Sequence, residues 1–418
     1  MAPTLFHGLV VPRAATNGTM NDDILSVLML IGPDIIQKAV AQLAGHVITP
    51  VAFSFGWVAY AVSALLRTFG DGRLMPDADM ANTNVIGADS GHSRATTSWV
   101  LGRLLRDADD RVDHEMRDEQ NHVPPVFAGE IKSPSSSESA EKVAGSPSSR
   151  PKWEALRVTV YDVDDEPPVP HGVPTRDWVW YSGLVVIFIQ LIISIIPWIV
   201  TGDWGTFLVT AGGNALALIG GSLPQWRSEK WACPRKGGAT VTITQGNGSR
   251  HAIVILGKRK QGVGLDLEIL ARGTRTAVPS LFTRIASALL ALLWIVLLVT
   301  VAGFEENSWY LLCIGLLGSI QNLYAAGAAR QLGALGIHLK HRETIRGIDG
   351  KKVAGVLKEL EEKYPMVGTS LVPVFFPGSL RVKGDDLQFW QKAMDKRVGT
   401  NDYGTRVDGA QTTIVVEP

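Results

Sequence analysis

Five ionisable side chains in the polar parts of this sequence could carry acid–base chemistry: His92, His114, His251, Asp266 and Glu268. A histidine can exchange a proton near neutral pH, and a carboxylate can orient the imidazole. An enzyme built on these groups would act at the cytosolic membrane interface on a lipid or another apolar substrate. No motif of fixed spacing joins the five residues, so ordinary solvent-exposed polarity is the favoured interpretation, and the catalytic residues are left unknown.

An acidic run raises the question of a metal site. Its carboxylates alternate with basic side chains and are Asp107, Asp109, Asp110, Asp113, Glu115, Asp118 and Glu119. Their spacing does not match an EF-hand loop, so a solvated charged helix is predicted and no metal site. Just before this run, Arg103 and Arg106 lie in an amphipathic stretch that could contact anionic lipid headgroups. Packing of that stretch on the protein is the equal alternative.

Two glycine-containing stretches lack the spacing of nucleotide-binding loops. The pair at 257–258 has no upstream glycine and no following hydroxyl, as a P-loop requires, and 262–264 lacks the third glycine of a dinucleotide motif. No cofactor is therefore predicted. The runs 239–244 and 250–256 are rich in β-branched residues and flank Asn247-Gly248, which predicts a β-hairpin.

Long uncharged apolar runs must position any such site, and they predict an integral membrane protein. A transmembrane helix needs roughly 20 apolar residues. Five runs approach or reach this length: 47–66, 182–200, 207–223, 285–304 and 309–329. The predicted fold class is mainly α, a bundle of about five transmembrane helices with small α+β cytosolic segments. A buried helical pair in a soluble protein is the less favoured alternative.

Four polar segments flank or separate these runs: 1–46, 67–181, 224–284 and 330–418. In the first, the spacing of apolar residues predicts an amphipathic helix over 34–44 that lies in the membrane interface. In the second, a serine- and proline-rich stretch at about 130–151 is predicted to be disordered, and alternation at 156–163 predicts a strand. In the last, an apolar stripe over 353–360 predicts a helix.

Small residues at four-residue spacing in the third predicted span indicate close helix packing. They are Gly213, Ala217 and Gly221. A pore-lining face around Asn214 is the alternative. In the fifth span, Gln321 and Asn322 are predicted to hydrogen-bond another helix, because an unpaired amide is costly in lipid.

The distribution of basic residues predicts the orientation. The short turns 201–206 and 303–308 contain no Lys or Arg, whereas the three large polar segments after the first span contain nearly all of them. The positive-inside rule then places the N-terminus outside or in the lumen and the C-terminus in the cytosol. Asn17 and Asn247 begin glycosylation sequons. In this orientation Asn17 is the accessible one and Asn247 is not.

Composition limits the partners. Acidic and basic residues are equal in number, at 40 each, which argues against general binding to nucleic acid. Two cysteines, one of them in an apolar run, cannot form a disulfide framework. The expected partners are the lipid bilayer and proteins that contact the cytosolic segments; which membrane is occupied is not predicted.

Several stretches resemble a fungal family of multi-pass membrane proteins of unknown function. They are GPDIIQK at 32–38, TPVAFSFGW at 49–57, SWVLGRLLR at 98–106, LPQWR at 223–227 and GNGS at 246–249. The resemblance spans most of residues 31–257. It implies a fungal membrane protein and carries no catalytic motif.

Three functions compete at this point. The favoured one is a non-enzymatic membrane protein (a scaffold, a sensor or a complex subunit), because no predicted span contains an ionisable residue. The second is a membrane enzyme, which a cluster of His, Asp and Glu around one cavity would support. The third is a small transporter or channel, which a continuous polar path through the bundle would support.

Overall fold

The computed structural model describes residues 32–70, 72–121, 154–303, 308–348, 351–382, 384–400 and 413–416. The sequon at Asn17 and the stretch at about 130–151 lie outside these residues. The fold is mainly helical with a small mixed sheet, so the predicted fold class is confirmed in this coarse form. The chain forms a helical bundle and a mixed α/β part, named here the head domain.

The bundle contains the four described helices that are long and apolar enough to cross a membrane. They are α4 (Trp178–Thr201), the stretch Gly205–Lys230, which comprises α5 (Gly205–Gly221) and α6 (Pro224–Lys230), α8 (Leu281–Ala302) and α9 (Ser308–Gly327). Asp177 caps α4, and its side chain accepts a hydrogen bond from Trp180 N. The outer faces of the bundle are apolar: Phe188 and Val299 are exposed. Such faces suit a lipid environment.

The predicted helix over 47–66 is not a continuous helix, so the described residues contain four helices that could cross a membrane instead of the predicted five. Residues 47–55 contain no helical turn before Gly56, and α2 (Gly56–Phe69) has 14 residues. A helix of this length spans only about 21 Å, less than the hydrocarbon core. We name 49–55 the buried segment, because all of its residues are enclosed by protein. An apolar composition indicates that a segment is buried, but it does not indicate whether lipid or protein surrounds the segment.

Helix α1 (32–43) overlaps the predicted amphipathic helix, but its predicted position in the membrane interface is wrong. Its apolar face is buried in the protein, where Ile36, Val40 and Leu43 contribute to the core. Two polar side chains are buried as well: Gln37 Nε2 donates to Leu74 O at 2.6 Å, and Gln42 Nε2 donates to Ala328 O at 2.9 Å. Lys38 remains exposed.

The head domain contains a six-stranded sheet in the order β2-β1-β4-β5-β3-β6. The strands are β1 (Asn84–Gly87), β2 (Ser93–Ala95), β3 (Arg157–Val163), β4 (Val241–Thr244), β5 (His251–Leu256) and β6 (Leu339–Arg346). Only β3 and β5 pair in parallel; the other neighbours are antiparallel. The β4–β5 hairpin and the strand at 156–163 are thus confirmed. The tail after α9 supplies β6 and is part of the sheet.

Helices cover both faces of the sheet. The remaining elements are α3 (Trp99–Asn121), α6 (Pro224–Lys230), α7 (Leu267–Gly273), α10 (Val353–Lys363), α11 (Val367–Phe375), α12 (Gly384–Thr400), β7 (Ser379–Val382) and β8 (Thr413–Val416). Alternation along β5 sends Ile253 and Ile255 to the face with α3 and α7, and Ala252 and Val254 to the face with α10 and α11. The predicted helix over 353–360 is confirmed by α10.

A buried ionic junction joins the head domain to the bundle. Arg103 is 1% exposed; its Nη1 donates to Asp79 at 2.6 Å and its Nη2 to Ala326 O at 2.8 Å, at the carboxyl end of α9. The Arg330 guanidinium binds both oxygens of Asp177. The suggested lipid contact of Arg103 is therefore wrong, and the packed alternative is observed. A cation at the carboxyl end of a helix donates hydrogen bonds to the free carbonyls and interacts favourably with the helix dipole.

All described polar segments lie on one side of the bundle. The sheet takes strands from before α4, from between α5 and α8, and from after α9. Helix α1 joins them, since Arg330 Nη1 donates to Gln42 O and Lys38 pairs with Asp79. Placing the whole segment 1–46 opposite the tail is therefore wrong for residues 32–43. Residues 1–31 lie outside the described part.

Candidate functional site

Three amide side chains of the bundle bind the buried segment. Asn214 Oδ1 accepts from Phe53 N at 3.1 Å, and Gln190 Nε2 donates to Phe53 O at 2.8 Å. Asn322 Nδ2 donates to Ala52 O at 3.0 Å. Backbone without helical bonding is tolerated at membrane depth only where protein groups satisfy it. These amides replace the missing helical hydrogen bonds, and Asn214 lines no pore.

Of the two amides of α9, only Gln321 bonds another helix. Its Nε2 donates to Ser182 Oγ of α4 at 2.9 Å, as predicted. Asn322 instead contacts the buried segment. The unpaired amide oxygens of Gln190 and Asn322 point into the packed interior.

Two of the small residues of α5 face the buried segment. A Cβ on Gly213 would lie 2.5 Å from the Phe53 ring, and one on Gly221 would lie 3.3 Å from Thr49 Cβ. Ala217 is buried. On α9, a Cβ on Gly318 would lie 1.8 Å from Phe53 O. Close packing was expected at this spacing, and at Gly213 and Gly221 its partner is the non-helical buried segment.

The interior of the bundle offers little space for a solute. The cavity beside Trp57 and Trp294 has a volume of about 20 Å³, enough for about one water molecule. The two indole rings stack 5.7 Å apart. Among the described side chains of the bundle, Gln190, Asn214 and Asn322 bind the buried segment, and Gln321 bonds α4.

A larger polar pocket, named here the head pocket, lies between the second half of α3 and the sheet. Its volume is about 280 Å³. The polar side chains that line it are Arg111 and Glu115 of α3, Arg157, Thr159 and Tyr161 of β3, His251 of β5, and His341, Thr344 and Arg346 of β6. Four elements of the head domain thus converge on one opening.

Alternation and a β-bulge bring these side chains to one face. Arg157, Thr159 and Tyr161 share a face because side chains two apart on a strand point the same way. The pairing register between β3 and β6 shifts between Val160 and Tyr161. As a result, the register pairs Arg342 of β6 with no residue of β3. The extra residue turns His341 to the same face as Thr344 and Arg346, which alternation alone would not do.

His251 bridges a carboxylate and a hydroxyl. Its Nδ1 lies 2.7 Å from Asp109 Oδ1, and its Nε2 lies 2.9 Å from Thr159 Oγ1. When Asp109 is ionised and the imidazole neutral, Nδ1 donates to Asp109 and Nε2 accepts the hydroxyl proton of Thr159. This arrangement orients a base beside a hydroxyl at the pocket wall, as in enzymes with an activated nucleophile.

Two arginines form the other end of the pocket and are paired with one carboxylate. Arg157 Nε and Nη2 donate to the two oxygens of Glu154 at 3.0 and 2.9 Å. Arg346 Nη2 also donates to Glu154 at 2.9 Å. Burial opposes ionisation of Glu154, but the hydrogen bonds from Arg157 and Arg346 outweigh it and lower the pKa of the carboxyl. Burial raises the pKa of Tyr161, which the nearby Arg111 partly opposes.

Of the five candidate catalytic residues, only His251 lies in the head pocket. His92 and His114 are exposed. Asp266 caps α7 by accepting from Ile269 N at 3.2 Å, and Glu268 pairs with Arg94 at 3.3 Å. These four side chains are not brought together.

The acidic run is only partly a solvated helix. It lies on α3, where Asp109 and Glu115 reach the head pocket. Asp107 is 2% exposed and accepts from Arg330 N at 3.0 Å, so the predicted solvation is wrong there. Among the described residues no group of three or more His, Cys, Asp or Glu side chains is arranged to hold a metal ion.

Sequence reasoning missed the residues of β3 and β6 that complete the pocket. Arg157, Thr159 and Tyr161 alternate with valines in the predicted strand, and that polar face was the available signal. His341 lies on β6, where its ring contacts Tyr161 edge-on at 5.7 Å. Asn247 is exposed in the β4–β5 turn of the head domain.

Comparisons of the chain with protein-family models, with curated proteins and with solved structures gave no match. Its function must therefore follow from its own geometry.

Proposed function

We propose that this protein is a membrane-anchored sensor, in which the bundle holds a head domain that binds a small polar ligand in the head pocket. One observation carries the proposal. The polar groups of the bundle bind its own buried segment, whereas ionisable groups from α3, β3, β5 and β6 converge on an open pocket in the head domain. Ligand pockets combine a concave surface with a few convergent polar groups.

The pocket's chemistry favours a ligand with an acidic group. Arg111 lines the opening, and its Nε donates to Asp107 O at 3.2 Å. Behind it, Arg157 and Arg346 add positive charge, although they already donate to Glu154, and Tyr161 adds a hydroxyl. Guanidinium groups bind carboxylates and phosphates through charge-assisted hydrogen bonds. Glu115 on the rim accepts from Arg157 Nη1 at 2.7 Å, so Arg111 is the guanidinium that we expect to contact the ligand.

The ligand can be sought with purified full-length protein in detergent, using succinate, citrate and inorganic phosphate as probes. We expect at least one probe to raise the melting temperature of the protein. Arg111→Gln should abolish that rise, because it removes a guanidinium from the opening. Arg272→Gln, an exposed arginine on α7, is the control and should retain it. A rise that is equal in both variants would contradict binding in the head pocket.

A second test concerns the bundle. In proteoliposomes the protein should give no potassium or proton flux above that of empty vesicles, since the described bundle interior is packed. Flux that depends on Asn214 would favour the transporter alternative.

The orientation that we propose places the head domain in the cytosol. The turns 201–206 and 303–308, which lack basic residues, would then lie outside, as the positive-inside rule requires. A sequon inserted in the first turn should be glycosylated, and Asn247 should not be. Glycosylation of Asn247 would reverse the orientation. The resemblance to a fungal family and the glycosylation of Asn17 stay predictions.

An enzymatic function is the alternative that one observation favours, the chain from Asp109 through His251 to Thr159. The substrate would be polar, because the pocket wall is polar. With p-nitrophenyl acetate as a probe, hydrolysis that is lost in both Thr159→Val and His251→Asn would support an acyl-transfer enzyme. Equal hydrolysis by the wild type and both variants would contradict the enzymatic function, and the sensor would remain the proposed function.

A further inference from the structure

A second pocket, named here the rim pocket, opens where the bundle meets the head domain. Its volume is about 190 Å³, and the residues that give it polar character are His46, Thr49, Ser222 and Arg227. It lies beside the carboxyl end of α5, on the side of the bundle that carries the head domain. This position corresponds to the headgroup level of a membrane that surrounds the four helices.

Two polar atoms of the rim pocket are buried and have no hydrogen-bond partner among the described residues. They are Nε2 of His46 and Oγ1 of Thr49. A buried polar atom without a partner costs free energy comparable to a lost hydrogen bond. Thr49 N already donates to Ser222 Oγ at 3.2 Å, so the backbone is satisfied and only the side chains lack a partner. Because both atoms have almost no exposed surface, a ligand that offers several oxygens would satisfy them only after a small movement of the pocket wall.

The surroundings are positive and one wall is apolar. Arg227 lines the pocket and is exposed, and no described lining residue is acidic. Burial and the nearby charge of Arg176 lower the pKa of His46, so its ring is neutral at neutral pH and can donate or accept. Val47 is 90% exposed at the mouth, next to the half-exposed Ile48. Exposed aliphatic residues here suit contact with acyl chains.

We propose that the rim pocket binds the phosphate-bearing headgroup of a membrane lipid. Arg227 would pair with the phosphate, His46 and Thr49 would hydrogen-bond its oxygens, and Val47 and Ile48 would contact the acyl chains. Phosphate offers three or more acceptor oxygens, which matches a guanidinium and two neutral donors. The site does not depend on the head pocket or on the ligand proposed for it.

Three probes separate the possible sources of the phosphate when each is added to the purified full-length protein in detergent. They are dihexanoyl phosphatidic acid, dihexanoylglycerol and inorganic phosphate. We expect only the phosphatidic acid to raise the melting temperature in a saturable way. An equal rise with dihexanoylglycerol would show an apolar groove alone, and an equal rise with inorganic phosphate would show a site for a soluble anion. Either outcome would overturn the proposal.

Variants connect the effect to the pocket. Arg227→Gln should weaken the apparent affinity for phosphatidic acid by about tenfold or more, because it removes a charge-assisted hydrogen bond. Thr49→Val, which removes only the unpartnered hydroxyl, should weaken it less. Lys260→Gln removes an exposed cation of the head domain and should bind like the wild type. Unchanged affinity in Arg227→Gln and Thr49→Val, with melting temperatures near that of the wild type without lipid, would overturn the assignment.

Discussion

The bundle and the head domain both contain a buried polar cluster, and the two clusters differ in what their groups bind. In the bundle, Gln190, Asn214 and Asn322 bind the backbone of the buried segment. In the head domain, the side chains of the head pocket bind one another and still face an open volume of about 280 Å³. Polar residues among apolar helices can therefore have a purely structural role. Polar residues that line an open pocket can bind a ligand.

The bundle tolerates the non-helical buried segment because side chains of the bundle replace its missing backbone partners. Each carbonyl or amide that a helix would satisfy internally must find another partner in a medium without water. Phe53 uses both of its backbone groups in this way, one to α4 and one to α5. Glycines on α5 and α9 let the segment approach closely enough for these bonds to form. The cluster is expected to be rigid and intolerant of change.

The largest effect is expected where the bundle cluster is most crowded. Gly318→Ala places a methyl group 1.8 Å from the position of Phe53 O and 2.7 Å from Gln190 Nε2. Overpacking and the lost hydrogen bond should cost about 3 kcal/mol or more. The yield of monodisperse protein in detergent and its melting temperature would both fall.

Gly327→Ala is the matched control on the same helix, since nothing lies within 4 Å of a Cβ there. It should leave both measurements unchanged. Equal behaviour of the two variants would mean that the buried segment is not packed against α9 as described.

The second effect concerns the buried ion pairs behind the head pocket. Glu154→Gln removes the charge that pairs with Arg157, whose side chain is 4% exposed. Breaking a buried pair on one side should destabilise the head domain by about 3 kcal/mol. Thermal unfolding followed by tryptophan fluorescence would measure it, with the exposed Glu362→Gln as control.

The same carboxylate predicts a pH dependence. Its pKa is lower in the folded protein than in the unfolded chain, where it is about 4.3. The stabilisation is therefore complete above that value and is lost as the pH falls through the lower, folded pKa. Below about pH 4 the wild type should lose more stability than Glu154→Gln does. Parallel acid profiles for the two proteins would contradict this assignment.

The smallest effect is expected inside the head pocket. Thr159→Val removes the hydroxyl that contacts His251 Nε2, at a cost of about 1 kcal/mol in stability. The head pocket faces solvent, so water can replace the lost partner. Asn214→Leu, which leaves Phe53 N unpaired inside the bundle, should cost clearly more in melting temperature. If the two substitutions cost the same, the contrast between a closed and an open cluster fails.

Elements that depend on local interactions could be predicted from the sequence. Four long apolar runs became helices able to cross a membrane, Asn247-Gly248 joined two strands, and the alternation at 156–163 became β3. Helical and strand periods, turn chemistry and apolar length all act over a few residues. They therefore need no knowledge of distant contacts.

The remaining features depend on contacts between distant parts of the chain. Residues 47–55 have the composition of a membrane helix, but amides of α4, α5 and α9 stabilise a non-helical path for them. The head pocket likewise joins Asp109, Thr159 and His251, which are far apart in the chain, and a bulge on β6 adds His341. Hydropathy does not distinguish burial in protein from burial in lipid, and side chains of different elements meet only when the sheet assembles.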